Sequence, residues 1–310
     1  MKPQKIYCIV VTYNRLELLK ENIEAIKKQT YPIEKIIIVN NNSTDGTYEY
    51  LKQFETSPLF TIINLSQNIG GSGGFSTGIK EAVLAGSDWT WIMDDDTIPN
   101  PSALENLIKY NDLTNNVGFI CSKVEWIDSS IHLMNIPCIK SLTNNIPFNK
   151  YSNKDVLLVE SASFVSLLIN TEAVKKVGLP IASFFIWGDD QEFTYRITNH
   201  GYIGLYVDSS LVIHKTLDNY TSDLKTAPDN VAWKFFYEIR NTMYLRRRRK
   251  KSYLSFLSSS ISHLKKDLKQ IKKRKGDQKE FKKAIYKGFR AGLKFNPQIE
   301  FIPENEILRT

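Results

Sequence analysis

The sequence has few cysteines and no long apolar run, and both absences limit what the protein can be. Its three cysteines, Cys8, Cys121 and Cys138, are widely separated and odd in number. They have neither disulfide-framework nor metal-site spacing, so we expect reduced, mostly buried cysteines and a cytoplasmic protein. The apolar run at residues 6–11 is too short for a signal peptide, and no cleavage site follows it. The longest apolar runs, such as residues 164–169, are far shorter than a membrane span.

Two common nucleotide-binding motifs are also missing. The glycine-rich residues 68–75 are not followed by Gly-Lys-Ser/Thr, which excludes a P-loop, and they lack the G-x-G-x-x-G spacing of a dinucleotide fold. Glycines would still let the backbone approach a ligand, with helix N–H groups aimed at negative charge. The simpler alternative is an ordinary turn before a helix over residues 76–85.

The chain has one strong charge asymmetry. Its 310 residues are 42% hydrophobic and 24% charged, which fits one large folded domain, or one large and one small. Residues 240–294 contain 20 Lys/Arg and three acids, a net +17, so the remainder is −9 when the whole chain is +8. An acidic body with a basic region predicts contact with an anionic surface, either membrane or nucleic acid.

The first hundred residues alternate strand-like and helix-like patterns. Buried strands are predicted at residues 6–11, 36–39, 60–65 and 89–93, with helical spacing between them. This β-α-β order predicts an α/β fold with a mostly parallel sheet, whose ligands gather at the carboxyl ends of the strands.

Three consecutive carboxylates follow the fourth predicted strand. Because side chains alternate in extended chain, Asp94 and Asp96 can face one side while Asp95 points away. Converging carboxylates repel each other unless a cation lies between them, and Mn²⁺ or Mg²⁺ prefers oxygen ligands. The alternative is a polar turn that happens to be acidic. An isolated histidine at a later strand end, His214, is a candidate third ligand.

The second half of the chain is less regular. Residues 126–155 suggest loops or a small hairpin, and residues 156–160 and 164–169 a pair of strands. Residues 202–207 and 211–213 suggest two further strands. Between them, three acids begin a helix directly after an aromatic run; they are Asp189, Asp190 and Glu192. Such acids favour the positive end of the helix dipole, but a carboxylate against an apolar wall can also serve as a base.

In this order, the motifs resemble inverting glycosyltransferases of family 2, which have the GT-A fold. The resemblance covers residues 5–215. It implies that the first strand end, Thr12, Tyr13, Asn14 and Arg15, holds the nucleotide together with Asn40 and Asn42 of the second. The Asp triplet resembles the D-x-D metal motif, and Trp187, Gly188 and Glu192 belong to the acceptor-side element. The family usually has Asp where this chain has Asn40. The resemblance therefore says less about which nucleobase of the donor this position recognises.

The resemblance also implies roles for the acids and a donor. Asp94 and Asp96, with His214, would hold Mn²⁺ or Mg²⁺, while Asp95 would contact the donor's ribose or sugar. Asp190 is the general base, with Asp189 as the reserve or an acceptor-hydroxyl ligand. The glycine segment, with donor contacts from Asn68, Gly70, Gly71, Gly73 and Gly74, is similar to that of galactofuranosyltransferases, which implies UDP-galactofuranose as donor. Rhamnosyltransferases of bacterial surface polysaccharides, which would use dTDP-rhamnose, share much of this pattern.

The basic region is expected to be helical and separate from the catalytic part. We predict a catalytic domain at residues 1–215 and a basic amphipathic helical region at residues 216–310. Its apolar faces predict either packing on the body or on a second subunit, or an anchor at the anionic inner face of the plasma membrane. An anchor would bring the enzyme to a lipid-linked glycan acceptor.

Other classes of protein explain less of the sequence. A non-catalytic nucleic-acid-binding protein would account for the basic region but not for the ordered carboxylates, so no nucleic-acid partner is expected. A sugar-nucleotide nucleotidyltransferase usually has a basic residue near its glycine turn, and residues 70–75 have none. A degenerate glycan-binding relative would not need intact metal and base motifs.

Overall fold

The computed structural model describes residues 4–307, and its centre is a twisted sheet flanked by helices. Four parallel strands form one half of the sheet in the order β3-β2-β1-β4. They are β1 (Ile6–Thr12), β2 (Lys35–Asn40), β3 (Phe60–Asn64) and β4 (Trp89–Asp94). Every residue of β1 is buried, as expected for a β-branched strand that is covered on both faces. The four predicted strands are therefore confirmed.

Three helices connect these strands: α1 (Leu16–Lys27), α2 (Thr47–Leu51) and α3 (Gly70–Leu84). Helix α3 begins six residues before the predicted start, so the glycine segment is mostly helix rather than turn. Two of its glycines let the helix lie directly on the sheet. A Cβ on Gly74 would come within 2.6 Å of Val11, and one on Gly78 within 2.5 Å of Ile9. The position of α3 against β1 thus depends on small residues.

The other half of the sheet is mixed. Next to β4 lie β10 (Leu167–Asn170), β6 (Val117–Glu125) and β11 (Ile203–His214). Strand β10 is antiparallel to both of its neighbours, β4 and β6. Strand β11 pairs on its outer side with β9 (Val156–Val159) and with β5 (Thr97–Pro99), which directly follows the Asp triplet.

The two strands predicted at residues 156–160 and 164–169 are present as β9 and β10. They are not neighbours, because β10 inserts between β4 and β6 while β9 joins the far side of β11. One prediction for this half was wrong. The two strands predicted at residues 202–213 are one strand with a register shift between Val207 and Leu211. The hairpin suggested within residues 126–155 is confirmed as β7 (Leu142–Thr143) and β8 (Ile146–Pro147).

Helices α4 (Ala103–Ile108), α5 (Thr171–Val177) and α6 (Asp189–Asn199) complete the flanks. Side chains from one strand alternate between two apolar clusters on opposite faces. Cys8 and Val10 of β1 belong to one cluster, whereas Ile9 and Val11 belong to the other. The sheet is thus buried on both faces, as predicted for an α/β fold.

The C-terminal part is helical, as expected, and packs on the body. It contains α7 (Lys234–Arg249), α8 (Tyr253–Ile271), α9 (Gln278–Gly292) and the short α10 (Glu304–Ile307). Helices α7 and α9 approach closely at Gly288, where a Cβ would lie 2.6 Å from the carbonyl oxygen of Phe236. Tyr244 of α7 packs edge-on against Phe184 of the segment that leads to α6. Over residues 4–307, none of the helices has both the length and the apolar character required to cross a bilayer.

Candidate active site

A cleft of about 530 Å³ opens at the carboxyl ends of β1 and β4. Parallel strands meet at one edge of the sheet, which is why motifs distant in sequence share this cleft. Thirteen of the expected site residues line it; they are Thr12, Tyr13, Arg15, Asn68, Gly70, Gly71, Asp94, Asp95, Asp96, Trp187, Asp189, Asp190 and His214. The structure thus brings together the nucleotide, metal and base motifs expected from the sequence.

The side chains of the Asp triplet diverge as strand geometry requires. The carboxylate of Asp95 accepts a hydrogen bond from the Thr12 hydroxyl (2.7 Å) and one from the Tyr13 amide (3.3 Å), so it faces β1. The guanidinium of Arg15 lies 3.4 Å from Asp95 and forms an ion pair with Asp96. Arg15 therefore balances part of the negative charge at this edge.

Asp94 and Asp96 converge with His214 into a group that suits a divalent cation. Each offers one ligand atom, and the three atoms lie within 4.8 Å of one another. Nε2 of His214 is 3.1 Å from Oδ1 of Asp96, a buried oxygen without a hydrogen-bond partner of good geometry. The other ring nitrogen, Nδ1, lies 2.8 Å from Oδ1 of Asn135, which favours the tautomer that leaves Nε2 free. Two carboxylates and one imidazole fit Mn²⁺ or Mg²⁺.

The pKa values of the three carboxyl groups also indicate that a positive charge would stabilise the triplet. Burial and the charge of Asp96 raise the pKa of Asp94 to about 6. The same two causes raise the pKa of Asp95 to about 7. Burial also opposes ionisation of Asp96, but His214 and Arg15 outweigh it and hold the pKa of that carboxyl below its usual range. A bound cation would favour ionisation of all three carboxyl groups.

The opposite wall of the cleft carries two acids, Asp189 and Asp190, directly after a strained segment. Phe185 and Trp187 have φ of +67° and +62°, values that bulky residues rarely adopt, and Gly188 follows with φ of +84°. Helix α6 then begins at Asp189. Burial, followed by the charge of Asp189, raises the pKa of Asp190 to about 8 although the helix dipole acts in the opposite direction. A carboxyl group in this range is suited to proton transfer near neutral pH.

Helix α7 holds this strained segment in place. The carboxamide nitrogen of the fully buried Asn241 donates to the carbonyl oxygens of Phe184, Ile186 and Trp187 at 3.0, 3.2 and 2.7 Å. The guanidinium of Arg240 donates to the carbonyls of Ser183 and Phe184 and to Oδ1 of Asn241. Neither residue was expected from the sequence, because neither belongs to a motif.

The glycine segment fits against the same loop. Gly70 has φ of +78°, and a Cβ there would overlap the carbonyl group of Phe185. The amide of Ser72 donates to that carbonyl oxygen at 3.2 Å. The two sides of the cleft are therefore in direct backbone contact at this glycine.

Seven expected site residues lie outside the lining of the cleft; they are Asn14, Asn40, Asn42, Gly73, Gly74, Gly188 and Glu192. Asn40 donates to Asn64 (2.9 Å), and Asn14 accepts from the Thr44 amide (2.7 Å), so both carboxamides organise loops. Glu192 forms a buried ion pair with Arg196 of its own helix.

The remaining four are three glycines and one exposed asparagine. Gly73 and Gly74 lie inside α3, against Ile69 and Val11, and Gly188 precedes α6. Asn42 is exposed and left-handed, with φ of +62°. Its neighbour Asn41, which was not predicted, is buried in the cleft wall instead.

Other cleft residues were also missed. Asn41 bridges the backbone of Ile69 and Gly70, accepting at 2.8 Å and donating at 2.9 Å. Tyr220, Trp233, Lys234 and Tyr237 come from the C-terminal part. The sequence offers a signal only for Trp233 and Tyr237, which are aromatic residues near the start of α7 that can pack on the body.

Comparison with known proteins agrees with this geometry. Residues 7–137 match the family model for glycosyl transferase family 2. The galactofuranosyltransferase GlfT1 of Mycolicibacterium smegmatis is 28% identical over 208 residues, which cover 65% of this chain and 68% of that protein. The GlfT1 of Mycobacterium tuberculosis is 25% identical over 64% of this chain and 66% of its own length. The chain contains a family 2 glycosyltransferase domain.

Solved structures support the fold of this glycosyltransferase. A mannosyltransferase of Pyrobaculum calidifontis in complex with GDP-Man and Mn²⁺ aligns over 94% of this chain and 74% of its own, with a TM-score of 0.55 and 16% identity. GalNAc-T7 with UDP, GalNAc and Mn²⁺ aligns over 93% of this chain and 55% of its own, with a TM-score of 0.60 and 14% identity. The glycosyltransferase therefore has the GT-A fold expected from its motifs.

Proposed function

We propose that the enzyme transfers galactofuranose from UDP-galactofuranose to a hydroxyl group of a lipid-linked glycan, with inversion at the anomeric carbon. One observation carries this proposal. The same cleft contains a group that could bind a divalent cation (Asp94, Asp96 and His214) and a carboxyl group with a raised pKa, that of Asp190. The similarity to two galactofuranosyltransferases supports the choice of sugar.

Donor binding would use the side of the cleft formed by β1, β4 and α3. Thr12, Tyr13 and Arg15 line the end of β1, where the nucleotide would lie. Asn68, Gly70 and Gly71 would contact the donor through backbone groups, since the latter two lack side chains. Asp95 would contact the ribose or the sugar from its position beside Thr12.

Asp94, Asp96 and His214 would hold the cation. When bound, Mn²⁺ or Mg²⁺ would supply Lewis-acid neutralisation of the charge on the departing nucleotide. Asn135 would keep the His214 ring in a suitable orientation through its contact with Nδ1.

Asp190 would act as the general base on the acceptor side. It would take the proton of the acceptor hydroxyl while that oxygen bonds to the anomeric carbon. The bond from this carbon to the diphosphate oxygen would break on the opposite face, and its electron pair would leave with UDP. Asp189 would orient the acceptor, with Trp187 beside it in the same wall.

A donor panel tests the choice of sugar. Purified enzyme with Mn²⁺ is incubated with an acceptor glycan and either UDP-galactofuranose, UDP-galactopyranose or dTDP-rhamnose, and released nucleotide is measured. We expect release from UDP-galactofuranose above both others. Preferential use of dTDP-rhamnose would make the enzyme a rhamnosyltransferase, and absence of transfer from every donor would contradict the proposal.

Metal binding has its own test. Asp96→Asn and His214→Ala should each abolish the tight binding of Mn²⁺ measured by titration calorimetry with UDP present. The matched control is His200→Ala, an exposed histidine at the end of α6. Equal Mn²⁺ affinity in all variants would rule out this cluster as the metal site.

We also propose that the C-terminal helices α7 to α9 contact anionic membrane without spanning it. Helix α8 exposes Leu254 and Ile261, with 78% and 45% of their surface accessible, among exposed lysines such as Lys265 and Lys266. Each basic residue near an anionic surface contributes about 1 kcal/mol, so several together could hold the enzyme reversibly. The alternative is that this face packs on a second subunit.

Flotation with liposomes separates these alternatives. The wild-type chain should float with phosphatidylserine liposomes and not with neutral ones. A Leu254→Ser, Ile261→Ser double variant should float less, whereas Ile127→Ser, Ile131→Ser, an exposed apolar pair outside α8, should behave as wild type. Equal flotation of both variants would exclude this face as the anchor.

A further inference from the structure

Among the described residues, the cleft is lined by a single lysine, Lys234, which begins α7 and to which the proposed mechanism assigns no task. Its side chain is half-buried. In the part of the chain that the structure describes, its ammonium group has no hydrogen bond or ion pair. It lies instead 5.5 Å from the ring centre of Trp187 and 5.8 Å from that of Trp233. A cation is therefore held over two indole faces at the edge of the cleft.

The other basic side chains of the cleft already have acidic partners. Arg15 pairs with Asp95 and Asp96, and His214 lies against Asp96. Lys234 forms no ion pair with these acids. Burial, followed by the charge of Arg15, lowers the pKa of Lys234, and the charges of Asp94 and Asp96 partly oppose this shift. Within residues 4–307, the cleft thus contains one cation that is free to meet an incoming anion.

We propose that Lys234 binds the diphosphate of the nucleotide donor and stabilises the nucleotide as it departs. The proposal rests on the proposed function, since it needs a nucleotide sugar in this cleft. A phosphate oxygen would accept charge-assisted hydrogen bonds from the ammonium group, which are stronger than contacts with aromatic faces. The flexible four-carbon stem lets the ammonium group leave the indoles for the phosphate.

The location of Lys234 favours the donor's phosphates over an anionic acceptor. The charged groups that act on it are Arg15, Asp94 and Asp96, all on the donor side. The step itself stays balanced without Lys234 as a proton donor. The proton goes to Asp190, the electron pair goes to the diphosphate oxygen, and Lys234 only offsets the charge that develops there.

Titration calorimetry on the full chain tests the assignment. UDP, GDP and dTDP are each titrated with Mn²⁺ into wild type, Lys234→Met and Lys234→Arg, and binding of the matching nucleoside is followed by ligand-observed NMR. Methionine keeps the length and the aromatic contacts but removes the charge. We expect Lys234→Met to bind the preferred diphosphate about tenfold more weakly. Nucleoside binding should be unchanged, and Lys234→Arg should stay within about threefold of wild type.

Lys150→Met is the matched control. Lys150 lies 5.5 Å from the ring centre of Tyr151, a comparable cation–aromatic contact, but it is exposed and outside the cleft. Its diphosphate affinity should equal that of wild type. Melting temperatures of all variants verify that they fold, and Lys234→Gln replaces Lys234→Met if the latter does not.

The possible results separate this inference from the proposed function. Unchanged diphosphate affinity in Lys234→Met overturns the assignment, and if KM for the acceptor rises about tenfold at the same time, Lys234 serves an anionic acceptor instead. If wild type binds none of the three diphosphates, the proposed function fails and the inference fails with it. A loss confined to Lys234→Met, with nucleoside binding intact, supports the inference.

Discussion

At the scale of single residues, the site is governed by carboxyl groups that burial makes reluctant to ionise. Asp94, Asp95 and Asp190 all have raised pKa values, and burial is the largest cause for each. A buried carboxylate without a partner is costly. These groups therefore lower the stability of the folded protein. A bound cation would offset this cost at Asp94 and Asp95, and the raised pKa suits Asp190 to accept a proton.

Asp190→Asn should separate catalysis from stability. The amide cannot accept the acceptor's proton, so turnover should fall at least about 100-fold, while UDP binding should stay within about twofold. The pKa of Asp190 is raised in the folded state, so the folded protein loses stability as the pH rises above the usual pKa of an aspartate. The variant should therefore melt at a higher temperature than wild type at pH 8, with a smaller difference at pH 5.

Steady-state kinetics, calorimetry and thermal melts at both pH values check these outcomes. Asp112→Asn, a change at an exposed acid away from the cleft, is the control and should leave all three measurements unchanged. Near-normal transfer by Asp190→Asn would refute its role as the base.

The pH dependence of kcat gives a second prediction for Asp190. A general base works in its deprotonated form, and the pKa of this group is raised to about 8. We expect kcat to increase about tenfold for each pH unit below the pKa and to level off above it. Measurement from pH 6 to 9 at saturating donor, acceptor and Mn²⁺ checks this. A flat profile between pH 6 and 8 would not fit a base with a raised pKa.

At the scale of elements, α7 holds the wall of the cleft that carries Asp189 and Asp190. Asn241 satisfies three carbonyl groups of a segment in which Phe185 and Trp187 have positive φ. Strained backbone of this kind persists only where surrounding contacts hold it. The segment that leads to Asp189 and Asp190 therefore depends on a helix about fifty residues further along the chain.

Asn241→Ala should loosen this segment. Each buried carbonyl group left without a donor costs about 1–3 kcal/mol, and the misplaced base should lower kcat about tenfold or more. The KM for the donor should change less than kcat, because among the described residues the Asn241 side chain hydrogen-bonds only to Arg240 and to the segment before Asp189. Asn241→Gln keeps the amide and should recover part of the activity.

Asn170→Ala is the matched control for this change. Asn170 also donates to a backbone carbonyl group, that of Val117 at 2.9 Å, but it lies away from the cleft. The Asn170→Ala variant should be less stable than wild type, but the folded variant should have the kcat of wild type. If both variants lose stability and neither loses kcat, Asn241 has only a structural role.

At the scale of the whole molecule, the C-terminal helices complete the cleft. Tyr244 covers Phe184, and Trp233, Lys234 and Tyr237 line the cleft. A domain boundary at residue 215 separates the sequence motifs from the basic region, but contacts between the two parts cross this boundary. The helical region contributes both apolar contacts and side chains to the catalytic part.

A chain that ends at residue 215 should be inactive for this reason. Removal of α7 uncovers Phe184 and the carbonyl groups that Asn241 and Arg240 satisfy, so the fragment should aggregate or melt at a much lower temperature. A chain that ends at residue 303 retains α7 to α9 and serves as the control. Gel filtration, thermal melting and UDP release compare the two. A soluble, active fragment 1–215 would establish an independent catalytic domain.

Local sequence patterns were enough to predict the parallel strands, the carboxyl ends at which motifs gather and the acids that line the cleft. They were enough because β-branched runs bury on both faces and side chains alternate along a strand. Long-range packing was needed to show that His214 meets Asp96, that β10 inserts between β4 and β6, and that Asn241 and Lys234 belong to the site. His214 was a candidate ligand only from its place at a strand end, and Asn241 and Lys234 belong to no motif. These residues are far apart in sequence, so only the assembled sheet and the docked α7 bring them together.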